Sequence, residues 1–241
     1  MNNETIQHPR RLPTEGVFMS FKIDDIVYGY LQGIATYKPG EKTVYLTEAQ
    51  LNDAKRVLKD LLGTSSKTVK RKVDMLIQKN LLAYDANNKI YSFLYDTNEK
   101  YCIVSADLLL KLTSVYNHMA VRTYVYLLDK FLWKQKENDV YNFTLKELKM
   151  AFGYSEGTRG LIENVLKEVL DNLKYNNYIN YESYYDNEHS PHPIPRMRLT
   201  FVARTVGDLG HNFSKELTPE EQFEQTRLDF LAQWGKNKET K

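Results

Sequence analysis

Residues 61–82 read Leu61-Leu62-Gly63-Thr64-Ser65-Ser66-Lys67-Thr68-Val69-Lys70-Arg71-Lys72-Val73-Asp74-Met75-Leu76-Ile77-Gln78-Lys79-Asn80-Leu81-Leu82, a helix end, a tight turn and a second helix. Gly63 suits the position just after a helix, where a positive φ costs a residue without Cβ little, and Thr64 to Ser66 offer side-chain oxygens as caps. The next helix is expected from about Ser66 to Asn80. At about 100° per residue, Val69, Val73, Leu76 and Ile77 fall on one side of it, and Lys67, Lys70, Arg71, Asp74 and Gln78 on the other. Between Lys55 and Lys89 stand nine Lys/Arg against three acids, a local charge of +6 in a chain whose total is +2. A cationic patch concentrated on one helix supplies the phosphate contacts that dominate non-specific affinity for nucleic acid.

The flanking sequence extends the pattern in both directions. Phe18 to Ile23 reads as extended, and Asp24 caps a helix expected from about Asp25 to Thr36. Lys38-Pro39-Gly40-Glu41 is turn chemistry, and Thr43-Val44-Tyr45-Leu46 is β-branched and aromatic enough for a strand. Thr47 opens a capping box with Gln50, and Leu51, Ala54, Leu58 and Leu61 then repeat at helical spacing up to Gly63. After the cationic helix, Leu82 to Tyr84 and Ile90 to Phe93 flank the turn residues Asp85 to Lys89, a hairpin pattern. The order helix, strand, helix, turn, helix, hairpin is the plan of a winged helix.

The second half repeats that plan. Val121 to Lys134 reads as an apolar-rich helix, Val140 to Phe143 as a strand, and Thr144 as the cap of Leu145 to Phe152. Gly153-Tyr154-Ser155 then stands where Gly63-Thr64-Ser65 stood, before a long helix from about Glu156 to Tyr175. Tyr178 to Tyr181 and Met197 to Phe201 form a second wing around a long loop, and Asn177 matches Asn80 at the exit. The expected fold is α+β, mainly α with small β-hairpin wings. A flexible basic arm over 1–16 precedes a first winged-helix domain over 17–100. A connecting helix over 101–118 leads to a second domain over 119–206, and a C-terminal helix and tail occupy 207–241. In the second long helix the spacing buries Leu161, Ile162, Val165, Leu166, Val169, Leu170 and Leu173. From Glu156 to Lys174 there are four acids and three bases, a net of −1, so that face is a poor partner for a polyanion. Thr218-Pro219-Glu220-Glu221 starts a terminal helix, whose apolar edge of Phe223, Phe230, Leu231 and Trp234 suits docking on its own domain or on a partner.

Composition narrows the class further. With 42% apolar and 27% charged residues and no apolar run long enough for a bilayer, a globular protein without a membrane role is expected. The first fifteen residues lack the apolar centre of a secretory signal, and Cys102 is the lone cysteine, so a reducing cytoplasmic setting is expected. Pro39-Gly40-Glu41-Lys42-Thr43 is not a phosphate-binding loop, because the lysine does not follow the glycine directly. His189 and His192 are separated from helical geometry by Pro191 and Pro193, which argues against a metal pair. A rolling-circle nickase needs two histidines separated by one residue, and that pair is missing. The expectation is a non-enzyme with no metal, no cofactor and no nucleotide.

The phrase Leu62-Gly63-Thr64-Ser65-Ser66-Lys67-Thr68-Val69-Lys70-Arg71-Lys72 through Lys79-Asn80-Leu81-Leu82 is similar to one common to many winged helices, with Asn80 replacing a usual glycine. Two such units in one short chain resemble the replication initiators and replisome organisers of plasmids and phages of low-GC Gram-positive bacteria. These include proteins whose N-terminal domain looks like that of the primosome protein DnaD. The resemblance implies sequence-specific double-stranded DNA binding in replication initiation. A transcriptional repressor fits almost as well, and a non-enzymatic adaptor for replication proteins is the alternative from another class. Host replication proteins and a second copy of the chain, as a homodimer, are the further partners considered.

The resemblance also implies a site. Lys67, Thr68, Lys70 and Arg71 would enter the major groove beside the turn residues Ser65 and Ser66, with Arg71 meeting a guanine edge. Lys55, Lys70 and Lys72 would meet phosphate, and Asn87, Asn88 and Lys89 at the wing tip would reach phosphate or the minor groove. The arm His8-Pro9-Arg10-Arg11 would lie in a minor groove. In the second domain Arg159, Arg196 and Arg198 are the expected contacts.

Overall fold

In the computed structural model, helix starts lie where the capping residues put them. Thr47 accepts the Gln50 amide at 3.2 Å while the Thr47 amide donates to Gln50 Oε1 at 2.8 Å. Thr144 and Glu147 repeat the exchange at 3.1 and 2.7 Å. Each box satisfies two of the orphan donors of a helix start. The structure describes residues 8–15, 18–20, 23–41, 43–95, 100–115, 119–134, 140–155, 161–186 and 194–210, all in the first of the chain's two units, Met1–His211. The first residues of the arm, the expected helix start at Glu156 with Arg159, most of the loop expected in the second wing and the expected terminal helix lie outside the described residues.

Among the described residues the chain is mixed α+β, with seven α-helices and three small antiparallel sheets. Strand β1 (Pro9–Pro13) precedes α1 (Asp25–Ile34), β2 (Thr36–Lys38), β3 (Thr43–Thr47), α2 (Glu48–Leu61), α3 (Ser66–Gln78), β4 (Leu82–Asp85) and β5 (Ile90–Phe93). Then follow β6 (Tyr101–Ser105), α4 (Ala106–Leu112), α5 (Ala120–Lys134), β7 (Tyr141–Phe143), α6 (Leu145–Ala151), α7 (Leu161–Tyr175), β8 (Ile179–Asp186) and β9 (Ile194–Val202). The sheets run β2-β3-β5-β4, β7-β9-β8 and β1-β6. In both halves the strand ahead of the capping box, β3 or β7, pairs with the second strand of the following hairpin, β5 or β9. Four helices, α2, α3, α6 and α7, end in the same way, with a left-handed residue at Gly63, Asn80, Gly153 and Asn177. At each, the following residue's amide reaches the carbonyl five residues back, as from Thr64 to Lys59 and from Leu81 to Leu76.

Several elements differ from the expectation. Phe18–Ser20, expected to be extended, form a short 3-10 helix, and Thr36–Lys38, expected as a helix end and turn, form β2. Residues 9–13 of the arm form β1, with Arg10 opposite Val104 of β6. Residues 101–105 of the expected connecting segment are strand β6, and its helix, expected from about Ala106, begins there as α4. Leu161, expected in the core, is 75% exposed, because α7 packs through Leu166, Val169, Leu170 and Leu173.

The core is organised around two helices. α5 is buried from Ala120 through Val125 and again at Leu127 and Leu128, and it packs against α1, α4, α7 and β9. Enclosed over most of its length, α5 belongs to the interior and comes to the surface only in its last turn, where Trp133 is exposed. α1 is nearly as enclosed and meets α4 closely: a Cβ on Gly33 would come within 2.6 Å of Leu110 Cγ and Cδ2. A buried helix cannot leave its last carbonyls to water, and here Arg10 satisfies them. Its Nε donates to the Gln32 carbonyl and its Nη2 to the Ala35 carbonyl, both at 2.6 Å, and the residue is only 3% exposed. The arm arginine expected in a minor groove is therefore a structural cap, for a reason visible only once α1 is enclosed.

At the other end of α1, the Asp24 side chain accepts the Val27 amide at 3.0 Å. Asp25 is fully buried, and the Arg122 amide reaches its Oδ2 at 3.4 Å, while the Arg122 guanidinium donates to the Ile23 carbonyl at 2.6 Å. Burial pushes the Asp25 carboxyl up to about 7 against the pull of the Arg122 cation. Among the described residues no helix is long and apolar enough to cross a membrane.

Two stability tests arise here. Arg10→Ala uncovers buried carbonyls and is expected to cost about 3 kcal/mol, measured by denaturant unfolding. Asp25 keeps its proton up to about pH 7 when folded but loses it near pH 4 when unfolded, so its contribution is full below pH 4 and is lost as pH rises towards 7. Asp25→Asn should raise Tm at pH 8, by about 2–4 °C for each kcal/mol recovered, and leave it nearly unchanged at pH 4. Equal shifts at both pH values would refute the assignment.

Candidate nucleic-acid interface

The turn between α2 and α3 is closed by Gly63, at φ +55°, with the Gly63 amide on the Asp60 carbonyl at 3.2 Å and the Thr64 amide on the Lys59 carbonyl at 3.0 Å. Ser65 then caps α3, accepting the Thr68 amide at 3.2 Å, and its hydroxyl lies 3.0 Å from that of Thr68. The Ser65 hydroxyl is therefore engaged as the helix cap, and that of Thr68 is engaged with it. Val69, Val73 and Leu76 face the core, whereas Ser65, Ser66, Lys67, Lys70 and Arg71 are exposed and Thr68 is half-buried. Among the described residues, no ion pair involves Lys67, Lys70 or Arg71. The start of α3 adds the partial positive charge of its unpaired amides on the same side.

Lys72 does not share this surface. Its ammonium is ion-paired with Asp24, and the side chains of the two are only 29% and 10% exposed. At three residues from Val69 and four from Leu76, Lys72 flanks the apolar stripe, so packing α3 against α1 turns it inward. Lys55 is half-buried and its Nζ donates to Asn52 Oδ1 at 3.5 Å. With Arg56, Lys59, Asp60 and Ser66 it lines a concavity of about 200 Å³ beside the turn. Arg56 and Lys59 were not singled out as contacts from the sequence, although they belong to the same charge run.

The first hairpin places its tip by local bonds. Asp85 Oδ1 accepts the amides of Asn87 and Asn88 at 2.9 and 3.2 Å, and its Oδ2 takes the Asn88 side chain at 2.7 Å. The Asn88 side chain, followed by these backbone amides, holds the Asp85 carboxyl below the usual range. Asn88 is thus occupied by the turn itself. Asn87, Asn88 and Lys89 are exposed, Lys89 at φ +52°, and the Lys89 carbonyl accepts the Glu48 amide at 3.0 Å. That bond ties the hairpin tip to the start of α2. Tyr84 and Tyr91 pair across the hairpin with ring centroids 4.5 Å apart, a contact that only the strand register brings about.

Several charges of the second half are engaged within it, although Lys167 and Glu168 of α7 are exposed. Glu163 pairs at 3.0 Å with Lys149 of α6, whose side chain is 3% exposed. Asp171 accepts the Tyr181 hydroxyl at 2.6 Å, and Lys174 donates to the Tyr181 carbonyl and lies over its ring. Arg198 pairs with Glu182 at 3.1 Å and stacks over Tyr184 at 5.0 Å. Arg196 is half-buried on β9, opposite Tyr184, and Arg159 lies outside the described residues. Among the described residues no group of three or more His, Cys, Asp or Glu is arranged to hold a metal ion. No family model, no curated protein and no solved structure matches this chain.

Because nothing lies within 4 Å of a Cβ built on Gly63, a substitution there meets only backbone strain. Gly63→Val is expected to cost at least about 1–2 kcal/mol and Gly63→Asn clearly less, measured by thermal unfolding. Equal losses would mean that the turn does not require the left-handed conformation.

Proposed function

We propose that this chain is a sequence-specific double-stranded DNA-binding protein built of two winged-helix units, serving as a replication initiator of a plasmid or phage. The first unit reads the duplex, and the second engages a protein partner. The supporting observation is the unequal use of charge: Lys67, Lys70 and Arg71 stand exposed on α3 with no ion pair among the described residues, whereas Glu163, Lys174 and Arg198 of the second half are engaged internally. Exposed cations cost little to bring against phosphate, while paired ones must first surrender a partner. The exposed Leu161, Tyr175 and Tyr185 favour a protein surface for the second half. No catalytic step belongs to this function. The initiator assignment rests on the resemblance of two such units in tandem and is a fold-level analogy.

In the bound state Arg71 lies against a guanine edge, and Lys67, Lys70, Lys89 and the Lys55 concavity meet phosphate. About four phosphate contacts give a slope near −3.6 in log K against log salt. A filter-binding titration on fragments of the surrounding genetic element measures it, and absence of duplex binding at low salt would sink the proposal. Arg71→Ala should relax discrimination at one base position at a cost of about 1–3 kcal/mol, whereas Lys70→Ala should weaken all sequences alike.

A further inference from the structure

Lys72 stands in the run Lys67-Thr68-Val69-Lys70-Arg71-Lys72, yet it is bound to a carboxylate 48 residues earlier in the chain. That carboxylate has two tasks. One Asp24 oxygen accepts the Val27 amide at the start of α1, and the other takes the Lys72 ammonium in the middle of α3. The next residues carry the connection onwards, since Asp25 and the Ile23 carbonyl both bond to Arg122 of α5. A single short segment, Ile23 to Asp25, therefore joins α1, α3 and α5.

Among the described residues the other side chains that attach α3 are apolar, Val69, Val73 and Leu76 with half-buried Ile77. Burial of this kind is non-directional and tolerates some rotation of a helix about its axis. An ion pair sheltered from water, one of whose partners is already fixed as a helix cap, is directional and loses little further side-chain entropy. We propose that Lys72 is a positioning residue for nucleic-acid recognition: through Asp24 it sets the angle at which α3 presents Lys67, Lys70 and Arg71, and it does not itself bind phosphate. This rests on the DNA-binding function above and adds to it a specificity determinant outside the contact surface.

Asp24→Asn is the discriminating variant, because asparagine keeps a capping oxygen while losing the charge. By long-range electrostatics alone, removing an acid near a cationic face tightens binding to DNA. A positioning role has the opposite sign. Asp24→Asn and Lys72→Met should each weaken binding to the specific site by about tenfold, with the double variant no worse than either single one. Non-specific affinity should shift far less than specific affinity, the salt slope should stay unchanged, and Lys72→Arg, which preserves the ion pair, should retain specific binding. Tighter or unaltered specific binding by Asp24→Asn would overturn the proposal, as would a salt slope shallower by about 0.9 in Lys72→Met, the mark of one lost phosphate contact.

A second measurement needs no nucleic acid. Amide hydrogen exchange along α3 should quicken in Asp24→Asn and in Lys72→Met to a similar extent, with no further gain in the double variant. Exchange along α3 equal to that of the unaltered chain in both single variants would overturn the strut. If the unaltered chain binds no duplex, the DNA-binding function fails while the exchange experiment still decides whether Lys72 and Asp24 hold α3 in place.

Discussion

A helix enclosed by protein must have its terminal backbone groups satisfied by protein, and α1 meets that requirement at both ends with charged side chains. Arg10 covers the carbonyls of Gln32 and Ala35, and Asp24 covers the amide of Val27. Much else depends on this. β1 lies against β6 and carries Arg10 inward, Asp24 reaches Lys72 of α3, and Arg122 of α5 bonds to the Ile23 carbonyl. Uncapped, the buried ends of α1 would expose orphan donors and acceptors to a medium that cannot hydrate them.

The same constraint sorts the cations of the chain. Arg10, Lys72, Arg122 and Lys149 are drawn inside or into sheltered pairs, where each answers a carbonyl or a carboxylate. Lys67, Lys70 and Arg71 are left on the outer side of α3. What distinguishes the two halves is therefore not the order of their elements, which repeats from capping box to hairpin, but which charges are spent on holding elements together. On α7, Glu163, Asp171 and Lys174 all tie the helix to α6 or β8. The proposed reading helix has fewer such ties and is held in orientation chiefly by one.

Local chemistry made much of this legible. Thr47, Ser65 and Thr144 cap the helices their sequence positions indicated, and Gly63, Asn80, Gly153 and Asn177 adopt the left-handed backbone at the expected helix exits. The apolar spacing of α3 correctly separates Val69, Val73 and Leu76 from Lys67, Lys70 and Arg71. Non-local partners were not legible. The pairing of β1 with β6 joins residues about ninety positions apart, and nothing in the short polar run from His8 to Pro13 announces a strand. Lys72 looked equivalent to its neighbours in a count of charge, although its place beside the apolar stripe already turned it towards the core. The tip residues Asn87 and Asn88 looked available because the demand of Asp85 on their amides depends on the turn that forms.

By itself, then, the sequence determined where helices begin and end, which stripe of each is apolar, and that one segment concentrates positive charge. These are decided by residues within a few positions of one another, through caps, backbone preference and periodicity. Only the tertiary structure decided which charges remain exposed, because an ion pair or a buried cap is made between residues far apart in sequence. Arg10, Lys72 and Lys70 are alike as letters. They differ in function because one meets the end of a buried helix, one meets Asp24, and one meets solvent.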